Sequence, residues 1–189
     1  MKISKISPIC KRAKRILLLD TGNGEQWVGD GTASYPLLNM PELDEDTIFP
    51  ALSFSEDDRD RIQIRHERMP SWFDVSDESI SETDLGNALL TFDYTGEMLE
   101  AYDGGYKNIV FVPSRYIKPV RDCYDNVTLH FRTGKVNYVA VKTGLMLMAI
   151  IVPSRPEMEI LTKTARWFAS GCESMIIPAT DPNTGEIME

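Results

Sequence analysis

A chain of 189 residues, 42% hydrophobic and 26% charged, has globular composition and enough length to bury a core without disulfides or metal. Its formal charge is −9. The three cysteines, Cys10, Cys123 and Cys172, are odd in number and widely spaced, with no CxxC, which argues against a disulfide framework or a structural zinc site.

The apolar run at residues 16–19 is too short for a signal-peptide core, and the run at 145–152 is far short of a membrane span. The expected setting is therefore cytoplasmic, with no membrane partner. Charge is unevenly laid out. Residues 1–15 hold six basic side chains and no acid. Residues 42–103 hold 18 acids against four basic residues, and residues 104–163 hold nine basic residues against four acids. Such asymmetry often accompanies partner binding.

In chain order, residues 1–14 lack periodicity and read as a loose basic arm. Residues 16–20 read as a strand. Thr21-Gly22-Asn23-Gly24 is turn chemistry, and residues 26–29 are the return strand of a hairpin. Residues 33–39 read as irregular, because Tyr35 precedes Pro36. Residues 41–46 are acidic and suit the start of a short helix that Pro50 would limit. Residues 61–67 alternate, with Ile62 and Ile64 on one face, as in a half-buried strand. Residues 69–74 form a loop.

Ser79 and Glu82 have capping-box spacing, which predicts a short helix. Residues 88–92, 98–102 and 108–112 read as three strands of a meander. Residues 119–124 read as a helix with Pro119 in its first position, since a proline inside a longer helix lacks an N–H. Residues 127–132, 136–141 and 145–152 form a second meander, whose last strand is apolar on both faces and should be central. Ser154, Pro156 and Glu157 mark the start of a final helix, with Met158, Leu161, Ala165 and Phe168 as its apolar stripe.

The expected fold class is α+β: mainly antiparallel sheet in two meanders, with two to four helices, the clearest C-terminal. The expected organisation is an arm at 1–14, one domain at 15–179 with two similar halves (15–103 and 104–179), and a polar tail at 180–189.

No constellation marks an enzyme. Gly22-x-Gly24 has Trp27 where a dinucleotide fingerprint needs a third glycine, and a strand follows where a helix should. His66, His130 and Cys123 have no spacing that calls for catalysis or metal binding. The acidic runs at 42–46 and 56–60 lack the ligand order of a calcium loop, and Asp181-Pro182-Asn183 opens like one without its closing acid. Catalytic, cofactor and metal residues are therefore expected to be none. Trp27, Tyr35, Trp72 and Phe73 fall in or beside turns and loops and are candidates for anchoring a partner.

Two resemblances add to this. The segments QWVGDGTASYPL, YIKPV and VKTGLMLMAIIVP resemble uncharacterised proteins encoded by phages and prophages. Residues 108–153 are similar in pattern to one repeat of DNA sliding clamps. That resemblance implies a strand, a helix within 114–124, and Arg115, Lys118 and Arg121 as cations facing duplex DNA. The leading expectation is a non-enzymatic interaction protein of mobile-element origin with a protein partner. The alternatives are a clamp-like DNA replication accessory protein, as a homo-oligomer on DNA, and a metal-dependent hydrolase or nuclease built from dispersed carboxylates.

Overall fold

Strand β1 (Arg15–Asp20) carries apolar side chains on both faces: Ile16 and Leu18 enter one hydrophobic cluster, while Leu17 and Leu19 reach another. A strand apolar on both sides belongs inside a covered sheet. Here β1 pairs antiparallel with β2 (Gln26–Gly29) through the expected glycine turn. Gly22 and Gly24 take φ of +85° and +89°, which L side chains rarely adopt. The computed structural model describes residues 3–105, 108–157, 159 and 161–162. The chain divides into two units, residues 1–154 and 155–189, and the fold that follows is that of the first.

The remaining strands are β3 (Ala33–Pro36), β4 (Gln63–Arg68), β5 (Glu82–Asp84), β6 (Leu90–Tyr94), β7 (Glu97–Asp103), β8 (Ile109–Pro113), β9 (Val127–Arg132), β10 (Tyr138–Thr143) and β11 (Met146–Ile151). Of the eleven strands among the described residues, eight form one mixed sheet in the order β4-β1-β2-β3-β11-β10-β9-β5. The other three, β6-β7-β8, form a separate antiparallel sheet. The α+β class therefore holds, but the layout of two antiparallel meanders is corrected. Residues 127–151 extend a larger sheet, in which β1 and β4 run parallel. The connection from β1 to β4 carries two strands and two short helices, which gives the chain enough length to return in the same direction. β11 is central, as its apolar sequence requires, between β3 and β10.

Residues 33–36 form a fully buried strand, not irregular chain, because β11 and β2 take up their backbone groups from both sides. The expected helix at 41–46 lies later, as α2 (Ile48–Ala51) with Pro50 inside it; Asp44 instead accepts the backbone N–H groups of Asp46 and Thr47 in the preceding turn. The acidic run after Ser55 forms α3 (Glu56–Arg59), closed by a capping box between Ser55 and Asp58. Ser79 and Glu82 start no helix. Glu82 opens β5, and its carboxylate binds Arg132 and Lys142.

Residues 3–13, expected as a loose arm, form a 3₁₀ turn (Ile3–Lys5) and helix α1 (Ser7–Ala13). Ile6, Ile9 and Cys10 are buried in the main core, which anchors this segment. Helix α4 (Ser114–Arg121) runs continuously through Pro119, contrary to the expected start at Pro119. Tyr116, Ile117, Pro119 and Val120 are all buried, so packing of that face offsets the missing N–H. The main core lies on one face of the large sheet, against α1, α2, α4 and the inner side chains Tyr102, Val110 and Val112 of the small sheet. The second face is covered by Met69, Phe73 and Val75 from the loop after β4. Of the expected C-terminal helix, Met158, Ala165 and Phe168 lie outside the described residues, as do Cys172 and the tail at 180–189. Among the described residues, no helix is long and apolar enough to cross a membrane.

Candidate anion-binding cleft

Helices α1 and α4 bury one row of side chains each and carry charged side chains on a second. On α4 the inward positions are Tyr116, Ile117 and Val120. Arg115, Lys118, Pro119 and Asp122 follow at spacings of three, one and three, which aligns them along one face of the helix. On the N-terminal segment, Lys5, Pro8, Ile9 and Arg12 follow the same rule. The two rows line one cleft of about 420 Å³. Among the described residues its cations are Lys5, Arg12, Arg115 and Lys118 and its single acid is Asp122, while Pro8, Ile9 and Pro119 complete the lining. Lys5 and Asp122 form an ion pair at 3.1 Å, which ties the N-terminal segment to the end of α4.

A second cleft of about 320 Å³ adjoins the first and shares Arg12, Arg115 and Ile9 with it. It adds Arg15, Asp30, Glu97 and Tyr116. Arg115 is fixed there. Its guanidinium donates to the Tyr116 hydroxyl at 2.8 Å, lies over the Tyr116 ring at 4.5 Å and pairs with Glu97. Tyr116 in turn donates to Asp30 at 2.8 Å, and Asp30 accepts the backbone N–H groups of Thr32 and Ala33. Burial pushes the Tyr116 hydroxyl above its ordinary pKa, so it remains a donor to Asp30. Burial disfavours charge on Arg115, but its contacts with Tyr116, Glu97 and Asp30 outweigh that and hold its pKa above the ordinary value. Arg12, Arg15 and Lys118 are exposed and have no carboxylate partner among the described residues.

The three cations singled out by the clamp resemblance separate. Arg115 and Lys118 line the cleft. Arg121 instead holds Glu100 through two hydrogen bonds of 2.8 and 2.9 Å and donates to the Tyr102 hydroxyl at 2.9 Å. It clamps α4 onto β7. Lys5 and Arg12, which belong to the supposed loose arm, and Arg15, which opens β1, were missed as neighbours of α4. Their signal was the basic run with an apolar Ile6, Ile9 and Cys10 row inside it, a helical spacing.

The four candidate aromatics also separate. Trp27 and Tyr35 are 2% and 0% exposed, so they are core residues and offer no ring to a partner. Tyr35 donates to the Tyr116 carbonyl at 2.7 Å, and the Trp27 indole N–H meets no acceptor among the described residues. Phe73 is half-buried and packs edge-on against Tyr138. Trp72 is 43% exposed, with the Lys135 ammonium 4.8 Å above its ring.

His66 is exposed on the edge strand β4. His130 stands 3.0 Å from the Thr128 hydroxyl and 3.7 Å from Glu82. Among the described residues, no three His, Cys, Asp or Glu side chains gather as a metal-binding group. The arrangement defines an α+β protein with a preformed basic cleft beside its sheet. Compared with family models, curated proteins and solved structures, the chain matches none.

Proposed function

We propose that this chain is a non-enzymatic interaction protein whose recognition element is the basic cleft between α1 and α4, and that its partner is a protein presenting an acidic segment. One observation carries the reading: Lys5, Arg12, Arg115 and Lys118 converge on a single cleft with one acid, in a chain whose net charge is −9. A local positive concavity in an otherwise acidic protein selects anionic groups and repels basic ones. The cleft volume suits a short side-chain cluster, since ligand sites commonly span roughly 300–1,000 Å³.

Mobile-element origin rests on the resemblance of the three quoted segments to phage-encoded proteins. The clamp-like reading loses one of its three cations to Glu100, and the acidic residues between 42 and 103 work against a duplex partner. The hydrolase or nuclease reading needs a carboxylate cluster that the described residues do not form.

The test is calorimetric titration of the full chain with a hexaglutamate peptide and, separately, with a short DNA duplex, at about 50 and 200 mM salt. Saturable peptide binding that weakens about tenfold or more in R12E/K118E is expected, with an unchanged melting temperature because both side chains are exposed. Equal binding by the variant would sink the proposal. Duplex binding tighter than the peptide's, steep in salt and lost in the same variant, would move the assignment to the clamp-like reading.

A further inference from the structure

Resting on that reading of the cleft, we infer that the anion it takes is a phosphate monoester, carried by a phosphorylated side chain of the acidic segment. Charge balance is the first ground. Across the two adjoining clefts the cations are Lys5, Arg12, Arg15, Arg115 and Lys118. The carboxylates are Asp122, Asp30 and Glu97. Five against three leaves a surplus of two positive charges. A phosphate monoester carries about −1.5 to −2 near neutral pH, whereas a single carboxylate carries one charge and would leave one positive charge unmatched.

Geometry is the second ground. Arg12 and Arg115 line both clefts, so they stand at the shared wall, one from each helix. Guanidinium groups present forked donors that match phosphate oxygens two at a time. Arg115 is held in place by Tyr116 and Glu97, which fixes its direction before any ligand arrives. Ser4 adds a hydroxyl to the lining. The exposed ring of Pro8 lies beside the cations, suited to the carbon stem that carries the phosphate.

The experiment uses the full chain and three probes, read by calorimetry: the pentapeptide Ala-Ala-phosphoserine-Ala-Ala, its counterpart with Glu in place of phosphoserine, and AMP. Each is titrated at about pH 7.5 and about pH 5.5, either side of the second phosphate pKa near 6. The groups facing the ligand are Lys, Arg, Asp, Glu and Tyr side chains, whose ordinary ranges lie outside this window, and no histidine lines either cleft. The phosphopeptide should bind at least about tenfold more tightly than the Glu peptide at the higher pH. It should weaken several-fold at the lower pH, while the Glu peptide does not change. R12K, which keeps the charge and removes the fork, should erase most of that preference by weakening phosphopeptide binding more than Glu-peptide binding.

Tighter binding of AMP than of the phosphopeptide, with the same pH response, would support the phosphate site and assign its source to a nucleotide. Equal affinity and equal pH response of the two peptides would overturn the phosphate inference and leave the anion-binding cleft standing. Binding of none of the three probes would overturn both.

Discussion

Arg132 donates from Nε to Oε2 of Glu82 at 2.9 Å, joining β9 to β5 through a side chain that is 1% exposed. The same guanidinium donates to the carbonyl groups of Asp74 and Ser76 at 2.7 and 2.9 Å. It thereby pins the loop that covers the second face of the large sheet. Lys142, 4% exposed, reaches the other Glu82 oxygen at 2.5 Å. One carboxylate therefore serves two buried cations.

Glu82→Gln should be among the most damaging single changes. Removing one partner of a buried ion pair costs roughly 3–5 kcal/mol, because the remaining charge is left uncompensated. Urea denaturation should show the loss. A cost below about 1 kcal/mol would mean that water already screens the cluster.

The same variant should change the response to acid. Burial works against charge on Glu82, but hydrogen bonds from Lys142 and Arg132 outweigh it and lower its pKa. A carboxyl with a depressed folded pKa contributes stability that is complete above the unfolded value, here near 4.5, and is lost as pH falls through the folded value. The stability gap between wild type and Glu82→Gln should therefore narrow as pH drops below about 4.5. A gap that stays constant through acid would contradict the assignment.

Gly29→Ala should fail to fold or should lose about 3 kcal/mol or more. A Cβ at position 29 would sit 1.8 Å from the Ala33 carbonyl oxygen, across the tight β2–β3 connection. The clash is with backbone, which cannot rotate away. A soluble variant with wild-type thermal unfolding would show that β3 can shift.

Cys10 should be inert to thiol reagents in the native protein. Burial, reinforced by the nearby Asp30 charge, pushes its thiol up to about 12, and its S–H points to the Gly29 carbonyl at 3.6 Å. Peptide mapping after treatment with a thiol reagent at neutral pH should find Cys10 unmodified until denaturant is added. Half-buried Cys123 serves as the internal comparison. Labelling of Cys10 at the rate of a free thiol would show that α1 opens readily.

The sequence determined those parts of this protein whose signals are local. Alternation and turn chemistry are such signals. They located β1, β2 and β4, the meander of β6, β7 and β8, and the strands β9 to β11, because side-chain period and glycine φ are properties of a few neighbouring residues. Tertiary structure decided the rest. Whether Tyr35 lies in a loop or a buried strand depends on β11, more than a hundred residues away. Ser79 and Glu82 carry a helix signal, but two buried cations from β9 and β10 claim the carboxylate. The cleft is the clearest case. Lys5 and Lys118 are separated by 113 positions, and no periodicity relates them. They line one cavity because Ile9 on one helix and Ile117 on the other are both buried in the same core, which leaves the charged rows side by side.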